Sequence, residues 1–174
     1  MRTVVLGDRP HELDELIERR RATGADRYDE VWKGEYHMAP APRHGHALVD
    51  NAIAVLLTPA AAAVGLFGSG PFNLGEPGDY RVPDRGFHRS RSNDAWLATA
   101  AIVVEIVSPD DETWEKLPFY AARDVDEVVI IDPSRRAVTW MERDDRRFRQ
   151  VERSTLLGID VGDLADHIDW PPAD

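Results

Sequence analysis

The chain has 174 residues, 43% of them apolar and 30% charged, a composition typical of a globular domain rather than a disordered chain. It contains no cysteine, which excludes disulfides, thiolate nucleophiles and cysteine-ligated zinc and fits a reducing cytoplasm. Its net charge of −11 argues against a broad phosphate-binding surface and leaves room for cation binding. We expect one cytoplasmic domain over residues 1–174. We expect no transmembrane helix and no membrane partner, because no uninterrupted apolar run reaches about 18 residues.

The N-terminal part of the chain alternates helix and hairpin signals. Asp8 and Pro10 favour a helix start and Gly24 a helix end. Gly34 separates two short strand-like segments, which predicts a hairpin, and apolar residues recur at helical spacing after Gly45. The predicted elements are a helix over 8–22, strands over 28–33 and 35–38, and a long helix over 45–63.

The middle of the chain is rich in glycine, proline and polar residues, so its elements are predicted to be short. Its glycines match neither a dinucleotide fingerprint nor a phosphate-binding P-loop in their spacing. We predict a strand over 64–67, a loop over 70–78, a strand over 79–84 that ends at Asp84, and an arginine-containing polar loop over 85–96.

An apolar, β-branched run over residues 102–107 predicts a strand that is buried on both faces. Glu105 lies within it, and an ionised carboxylate there is costly unless a cation or a metal ion pairs with it. Asp84 ends the preceding predicted strand, and Lys116 lies on the next helix. Two acids and a lysine are the minimum set for metal-assisted phosphodiester hydrolysis. The alternative is a Glu105 at a sheet edge that pairs with an arginine.

The remaining elements predict a crossover. A helix over 112–123, begun by Ser108 or Asp110 and kinked or shortened by Pro118, leads to an apolar strand over 127–132. The strands on either side of such a helix are parallel. A hairpin of strands over 137–142 and 148–151 and a short helix over 161–167 follow. This order predicts an α/β fold, with a mixed central β-sheet flanked by helices.

Several sequence blocks over roughly residues 30–140 carry a family resemblance. They are Tyr28-Asp-Glu-Val-Trp-Lys-Gly-Glu-Tyr-His-Met-Ala-Pro40, His46, Val82-Pro-Asp84, Val104-Glu-Ile-Val-Ser-Pro109, Glu115-Lys116, Tyr120 and Val125-Asp-Glu-Val-Val-Ile-Ile-Asp-Pro133. In these blocks and their order the chain resembles the Uma2 family (DUF820) of the PD-(D/E)XK, restriction-endonuclease-like superfamily. The resemblance implies a restriction-endonuclease-like fold with an N-terminal helix and hairpin, and a metal-dependent endonuclease acting on DNA.

The resemblance also implies a role for individual residues. Asp84 and Glu105, with the carbonyl of Ile106, would bind Mg²⁺ or Mn²⁺, both of which prefer oxygen ligands. Lys116 would orient the attacking water or stabilise developing charge, and Glu35 would be a further catalytic acid. His46 matches a recurrent family histidine and would contact substrate. Relatives with this fold often act as homodimers, because one acidic site cuts one strand.

Two other functions stay open at this point. The acidic balance and the short segment between Ser108 and Lys116 fit a catalytically inactive nuclease-fold module that binds a partner. The charge of −11 also fits a metal-dependent hydrolase of small phosphoesters. A zinc site is disfavoured, because His44 and His46 straddle Gly45 and lack helical ligand spacing.

Overall fold

The structure of the protein, a computed structural model, describes residues 11–108 and 112–172. Its helices are α1 His11–Thr23, α2 His44–Ala63, α3 Leu117–Ala122 and α4 Val161–His167, with a 3-10 helix, Thr113–Lys116, directly before α3. Its strands are β1 Glu30–Trp32, β2 Glu35–His37, β3 Phe67–Ser69, β4 Asn73–Glu76, β5 Asp79–Arg81, β6 Arg85–His88, β7 Trp96–Leu97, β8 Ile102–Ile106, β9 Glu127–Asp132, β10 Ala137–Asp144 and β11 Arg147–Val151. The predicted helix-start residues Asp8, Pro10 and Asp110 lie outside the described residues.

The larger sheet has six strands in the order β11-β10-β9-β8-β6-β3. Its central pair, β8 and β9, is parallel, and the 3-10 helix and α3 connect them, which confirms the predicted crossover. The other neighbours in this sheet pair antiparallel. β8 is buried at all five positions, as its uninterrupted apolar run predicts.

Helix α2 covers one face of this sheet. Its residues Val49, Ile53, Leu57 and Ala61 recur every four positions, so they form one stripe, and each is fully buried. The stripe packs in one core cluster with alternate residues of β8, namely Ile102, Val104 and Ile106. The other face of β8 carries Val103 and Glu105, and Val103 packs with Tyr120 and Leu74 in a second cluster. Glu105 therefore faces the layer that holds α3 and the smaller sheet.

The smaller sheet has five strands in the order β2-β1-β5-β4-β7. Its β1–β2 hairpin turns at Lys33 and Gly34, whose φ angles of 50° and 89° are both positive. Two positive φ angles between the paired residues Trp32 and Glu35 match a tight hairpin turn, which explains the glycine. The hairpin agrees with the sequence prediction.

Several predicted boundaries in the middle of the chain are wrong. The predicted loops over 70–78 and 85–96 contain strands β4 and β6, and the predicted strand over 64–67 is displaced to Phe67–Ser69. The predicted strand over 79–84 ends at Arg81, so Asp84 lies just before β6 instead of at the end of β5. β6 contains Arg85, Gly86 and His88, a composition atypical of strands, and forms because β8 and β3 pair with its two edges.

The helix predicted over 112–123 is shortened at its start, as Pro118 predicts: Pro118 lies in the first turn of α3, and a 3-10 helix precedes it. Trp114, on this 3-10 helix, is 51% exposed. Among the described residues, one helix, α2, is long and apolar enough to cross a membrane, judged by length and composition only. The sequence predicted no such helix. A helix packed in a protein core passes the same test, and the buried stripe of α2 packs on the sheet.

Candidate active site

Asp84 lies beside the end of β8 because of the register of the antiparallel pair β6–β8. Arg85, the first residue of β6, pairs with Val104, so Asp84, which directly precedes it, lies next to Glu105 and Ile106. The backbone N–H of Ile106 donates to Asp84 Oδ2 at 2.8 Å, and His46 Nε2 donates to Asp84 Oδ1 at 2.8 Å. The sheet and the first turn of α2 therefore both position the Asp84 carboxylate, which is 19% exposed.

Glu105 meets Lys116 and Tyr120 beneath the crossover. Lys116 Nζ donates to both carboxylate oxygens of Glu105, at 3.3 and 3.2 Å, and the Tyr120 hydroxyl donates to Oε1 of the same group. All three residues are buried. The 3-10 helix brings Lys116 over β8, and α3 brings Tyr120 there one turn later. The structure thus brings together three residues that the sequence predicted or that carried the resemblance.

Glu30 is a member of this cluster that the sequence reasoning did not identify. Lys116 Nζ lies 2.9 Å from Glu30 Oε1, which also accepts the backbone N–H of Val82 at 2.8 Å. Trp32 Nε1 donates to Glu30 Oε2 at 2.7 Å. β1 thereby supplies a buried acid whose two oxygens both accept hydrogen bonds. Glu30 lies in the sequence block 28–40 that carries the family resemblance, so that block could have identified it.

The structure does not bring Glu35 into this cluster. Glu35 begins β2 and is exposed, while Glu30 on the neighbouring strand is buried. The two acids stand on opposite arms of the same hairpin, where Glu30 pairs with His37 and Glu35 pairs with Trp32. The packing therefore does not support the catalytic role predicted for Glu35. Glu30 is the acid of this hairpin that contacts Lys116.

The electrostatics of the cluster are dominated by burial and by an excess of negative charge. Burial raises the pKa of Glu105 to about 8, Lys116 opposes that rise, and the nearby charges of Asp84 and Glu30 add to it. Burial and the adjacent Glu105 also raise the pKa of Tyr120 well above its ordinary value, so its hydroxyl stays a neutral donor. A cation bound beside Glu105 would lower the pKa of its carboxyl again, because it would stabilise the charged form.

Comparison with known protein families identifies the family of this chain. A model of the Uma2 family, described as "Putative restriction endonuclease", matches residues 13–161. The chain belongs to the Uma2 family. The matched range contains every residue of the acidic cluster. No curated protein matches the sequence.

A solved structure supports the fold. The crystal structure of "a putative nuclease belonging to DUF820" from Anabaena variabilis superposes with a TM-score of 0.61 and covers 80% of this chain and 90% of that one. The two sequences are 15% identical, so the likeness concerns the fold. The predicted restriction-endonuclease-like α/β fold is thereby confirmed for this Uma2 chain, with a second mixed sheet beside the central one.

The fit of a divalent cation to the Uma2 cluster can be judged from the ligands present. Within residues 11–108 and 112–172, no group of three or more histidine or acidic side chains is arranged to hold a metal ion. Mg²⁺, however, often uses only one or two carboxylates and keeps several waters. Asp84 and Glu105 offer two such groups, and Glu30, Asp84 and Glu105 together carry more negative charge than Lys116 balances. The donor set fits a hard cation held by few protein ligands.

His46 and His37 contact two different acids. His46 is tied to Asp84, and its Nδ1 lies 3.4 Å from Ser108 Oγ. His37 donates to Glu112 at 3.1 Å and stacks on Trp32 with ring centroids 4.6 Å apart. His46 is placed to orient Asp84. The contact of His46 with substrate stays a prediction.

Proposed function

We propose that this Uma2 protein is a Mg²⁺- or Mn²⁺-dependent endonuclease that hydrolyses phosphodiester bonds in DNA. The observation that carries the proposal is the buried cluster at the ends of β6 and β8, where Lys116 contacts Glu30 and Glu105 beside Asp84. A cluster that costs so much desolvation is rarely retained for stability alone. Membership of the family described as a restriction endonuclease adds a second, independent reason.

Asp84 and Glu105 would hold the cation, and His46 and Tyr120 would keep the two carboxylates oriented. The Asp84 carboxylate is fixed from two sides, by the Ile106 N–H and by His46. When bound, the cation would polarise a phosphoryl oxygen and lower the pKa of a bound water. Preorganised ligands of this kind lose little entropy on binding, which favours a site with few protein ligands.

Lys116 acts as a hydrogen-bond donor in this proposal. Its Nζ donates to Glu105 and lies against Glu30, so two acceptors fix its direction. An ammonium in this position orients a water or stabilises charge on the phosphate, a role that suits it better than that of a general base. The backbone N–H of Val82 and the indole of Trp32 hold Glu30 in turn, so the smaller sheet supports the lysine.

A supercoiled-plasmid nicking assay with Mg²⁺ or Mn²⁺ tests the proposal. Wild-type protein should nick, and Asp84→Asn should abolish nicking without loss of fold, because the amide keeps the shape but loses the charge. Glu115→Gln is the matched control, since Glu115 is an exposed acid next to Lys116 and should leave nicking unchanged. Absence of cleavage of single- and double-stranded DNA with both metals would refute the proposal.

The absence of a three-ligand group among the described residues favours one alternative, a nuclease-fold module that binds without cleaving. Calorimetric titration of the protein with Mn²⁺ separates the two functions. Binding that Asp84→Asn removes supports the nuclease; no binding at millimolar concentrations supports the inactive module. Turnover of small phosphodiesters without cleavage of DNA would instead identify a hydrolase of small phosphoesters.

A further inference from the structure

A large groove is lined by residues of both sheets and of the loops that follow β3 and β6. It has a volume of about 1350 Å³, larger than the roughly 300–1,000 Å³ of a typical small-molecule site. Phe67 and Phe72 line it from β3 and the connection after it, and Tyr80 and Trp96 line it from β5 and β7. The groove therefore has aromatic side chains from both sheets.

Strand β6 lies between the cluster and the groove: Asp84 directly precedes its first residue, and His88, its last residue, lines the groove. Val31 of β1 also lines the groove, on the face of the smaller sheet opposite to that of Glu30, because side chains alternate along a strand. β6 is therefore the element that runs from the carboxylates to the groove.

Two of the aromatic rings that line the groove are partly open to solvent. Phe67 and Trp96 are each 38% exposed, although both lie on strands. The Arg91 guanidinium lies over the Phe67 ring, 4.5 Å from its centroid, and Arg21 and Arg27 also line the groove. Asp26 and Asp94 are the acids that line it. Flat rings interleaved with arginines are the combination that binds stacked bases and the phosphates between them.

A buried histidine in the groove has an unmet hydrogen bond. His88 is 9% exposed, and its Nδ1 has no hydrogen-bond partner among the described residues. Its Nε2 lies 2.9 Å from Ser69 Oγ, which is also 3.1 Å from the carbonyl of Gly70. The Ser69 hydroxyl can donate to the Gly70 carbonyl or to His88 Nε2. In both arrangements Nδ1 of His88 keeps an unused donor or acceptor. A polar edge of a ligand in the groove would satisfy it, as a nucleobase edge can.

We propose that this groove binds an unpaired nucleic-acid strand, whose bases stack on Phe67 and Trp96 and whose phosphates contact Arg91 and Arg27. The inference rests on the proposed nuclease function and narrows its substrate to DNA with a single-stranded segment. The net charge of −11 argues for an unpaired strand over a duplex, because duplex binding depends mainly on phosphate contacts. Stacking on exposed rings needs bases that are free of a partner.

Fluorescence anisotropy with a labelled oligo(dT) 12-mer in EDTA tests the groove without cleavage. Trp96→Ala and Phe67→Ala should each weaken binding about 5- to 150-fold, the loss expected for one stacked base. Trp114→Ala is the matched control, because Trp114 is an exposed tryptophan outside the groove, and should leave binding unchanged. Arg91→Ala should reduce the slope of log K against log salt by about 0.7.

Three results would overturn the inference. They are no binding of oligo(dT), binding of a duplex of the same length as tightly, and binding of an abasic strand of the same charge as tightly. Binding that Trp114→Ala weakens as much as Trp96→Ala would also overturn it. Since EDTA removes the metal, oligo(dT) binding without nicking activity would sink the nuclease proposal and leave the groove assignment standing. Nicking by the wild-type protein that Trp96→Ala and Phe67→Ala leave unchanged would overturn the groove assignment and leave the nuclease proposal standing.

Discussion

Replacing Lys116 with methionine removes the ammonium that bridges Glu30 and Glu105 while keeping a side chain of similar length. Lys116 is 9% exposed, and its Nζ lies 2.9 Å from Glu30 and 3.2 Å from Glu105. At about 3 Å and an effective dielectric constant of about 20, each ion pair is worth roughly 5 kcal/mol of attraction, much of it offset by desolvation. Removing one partner of a buried ion pair costs about 3–5 kcal/mol of stability, because the other charge stays buried without compensation. We expect Lys116→Met to lower the free energy of unfolding by that amount.

Urea unfolding monitored by the fluorescence of the tryptophans, of which Trp140 is fully buried, measures the loss. The cost should grow from pH 6 to pH 9, because Glu105 has a pKa raised to about 8 and only its charged form needs the ammonium. Lys33→Met is the control, since Lys33 is exposed in the β1–β2 turn. A loss below about 1 kcal/mol at pH 9, or one equal to that of Lys33→Met, would refute the electrostatic account.

Three other variants test separate parts of the structure. In metal-free protein the free energy of unfolding should fall as pH rises from about 4.5 to about 8, because the folded state holds the Glu105 proton longer than the unfolded chain; Glu105→Gln should remove that slope in a pH series of urea melts. His46→Ala should lower Mn²⁺ affinity about 10- to 100-fold in calorimetry, since His46 orients Asp84; an unchanged affinity would show that Asp84 needs no support. Leu57→Ala should cost about 2–5 kcal/mol of stability in thermal or urea unfolding, since Leu57 is fully buried under the sheet; a cost below 1 kcal/mol would mean that α2 packs loosely.

The parts of the fold that could be predicted from the sequence are those in which the spacing of apolar residues shows which side chains are buried. The run over β8 reads as a strand buried on both faces, and it is; α2 shows its buried stripe at every fourth residue. The strand over β9 and the hairpin β10–β11 follow in the same way. In each case the periodicity of apolar residues and the burial are the same physical fact.

The parts that were missed depend on partners that are distant in sequence. β6 has a glycine, an arginine and a histidine among its four residues, and only its two neighbours in the sheet make it a strand. Gly86 belongs there because a Cβ would lie 2.4 Å from the Phe72 ring and 2.8 Å from His88 Nε2. No local propensity reveals such a close approach.

The choice between Glu30 and Glu35 illustrates the same limit within the site. Both acids lie in the short hairpin block, and the resemblance pointed to the one beside the turn glycine. Glu30 lies at the end of the hairpin away from the turn, where its side chain reaches Lys116, while Glu35 directly follows the turn and is exposed. The next two residues of β2 are buried, so the position along the hairpin decides which acid is buried, and the sequence alone does not show which end reaches Lys116.

The charge of the whole chain and the composition of the groove belong to one physical picture. A protein with a net charge of −11 cannot attract DNA over a broad surface, so affinity has to come from a small region with its own chemistry. The groove supplies arginines and exposed rings, and the acidic cluster supplies carboxylates whose excess charge favours a divalent cation. A cation held there would itself offset the repulsion between those carboxylates and the incoming phosphate, so metal binding and strand binding should reinforce each other.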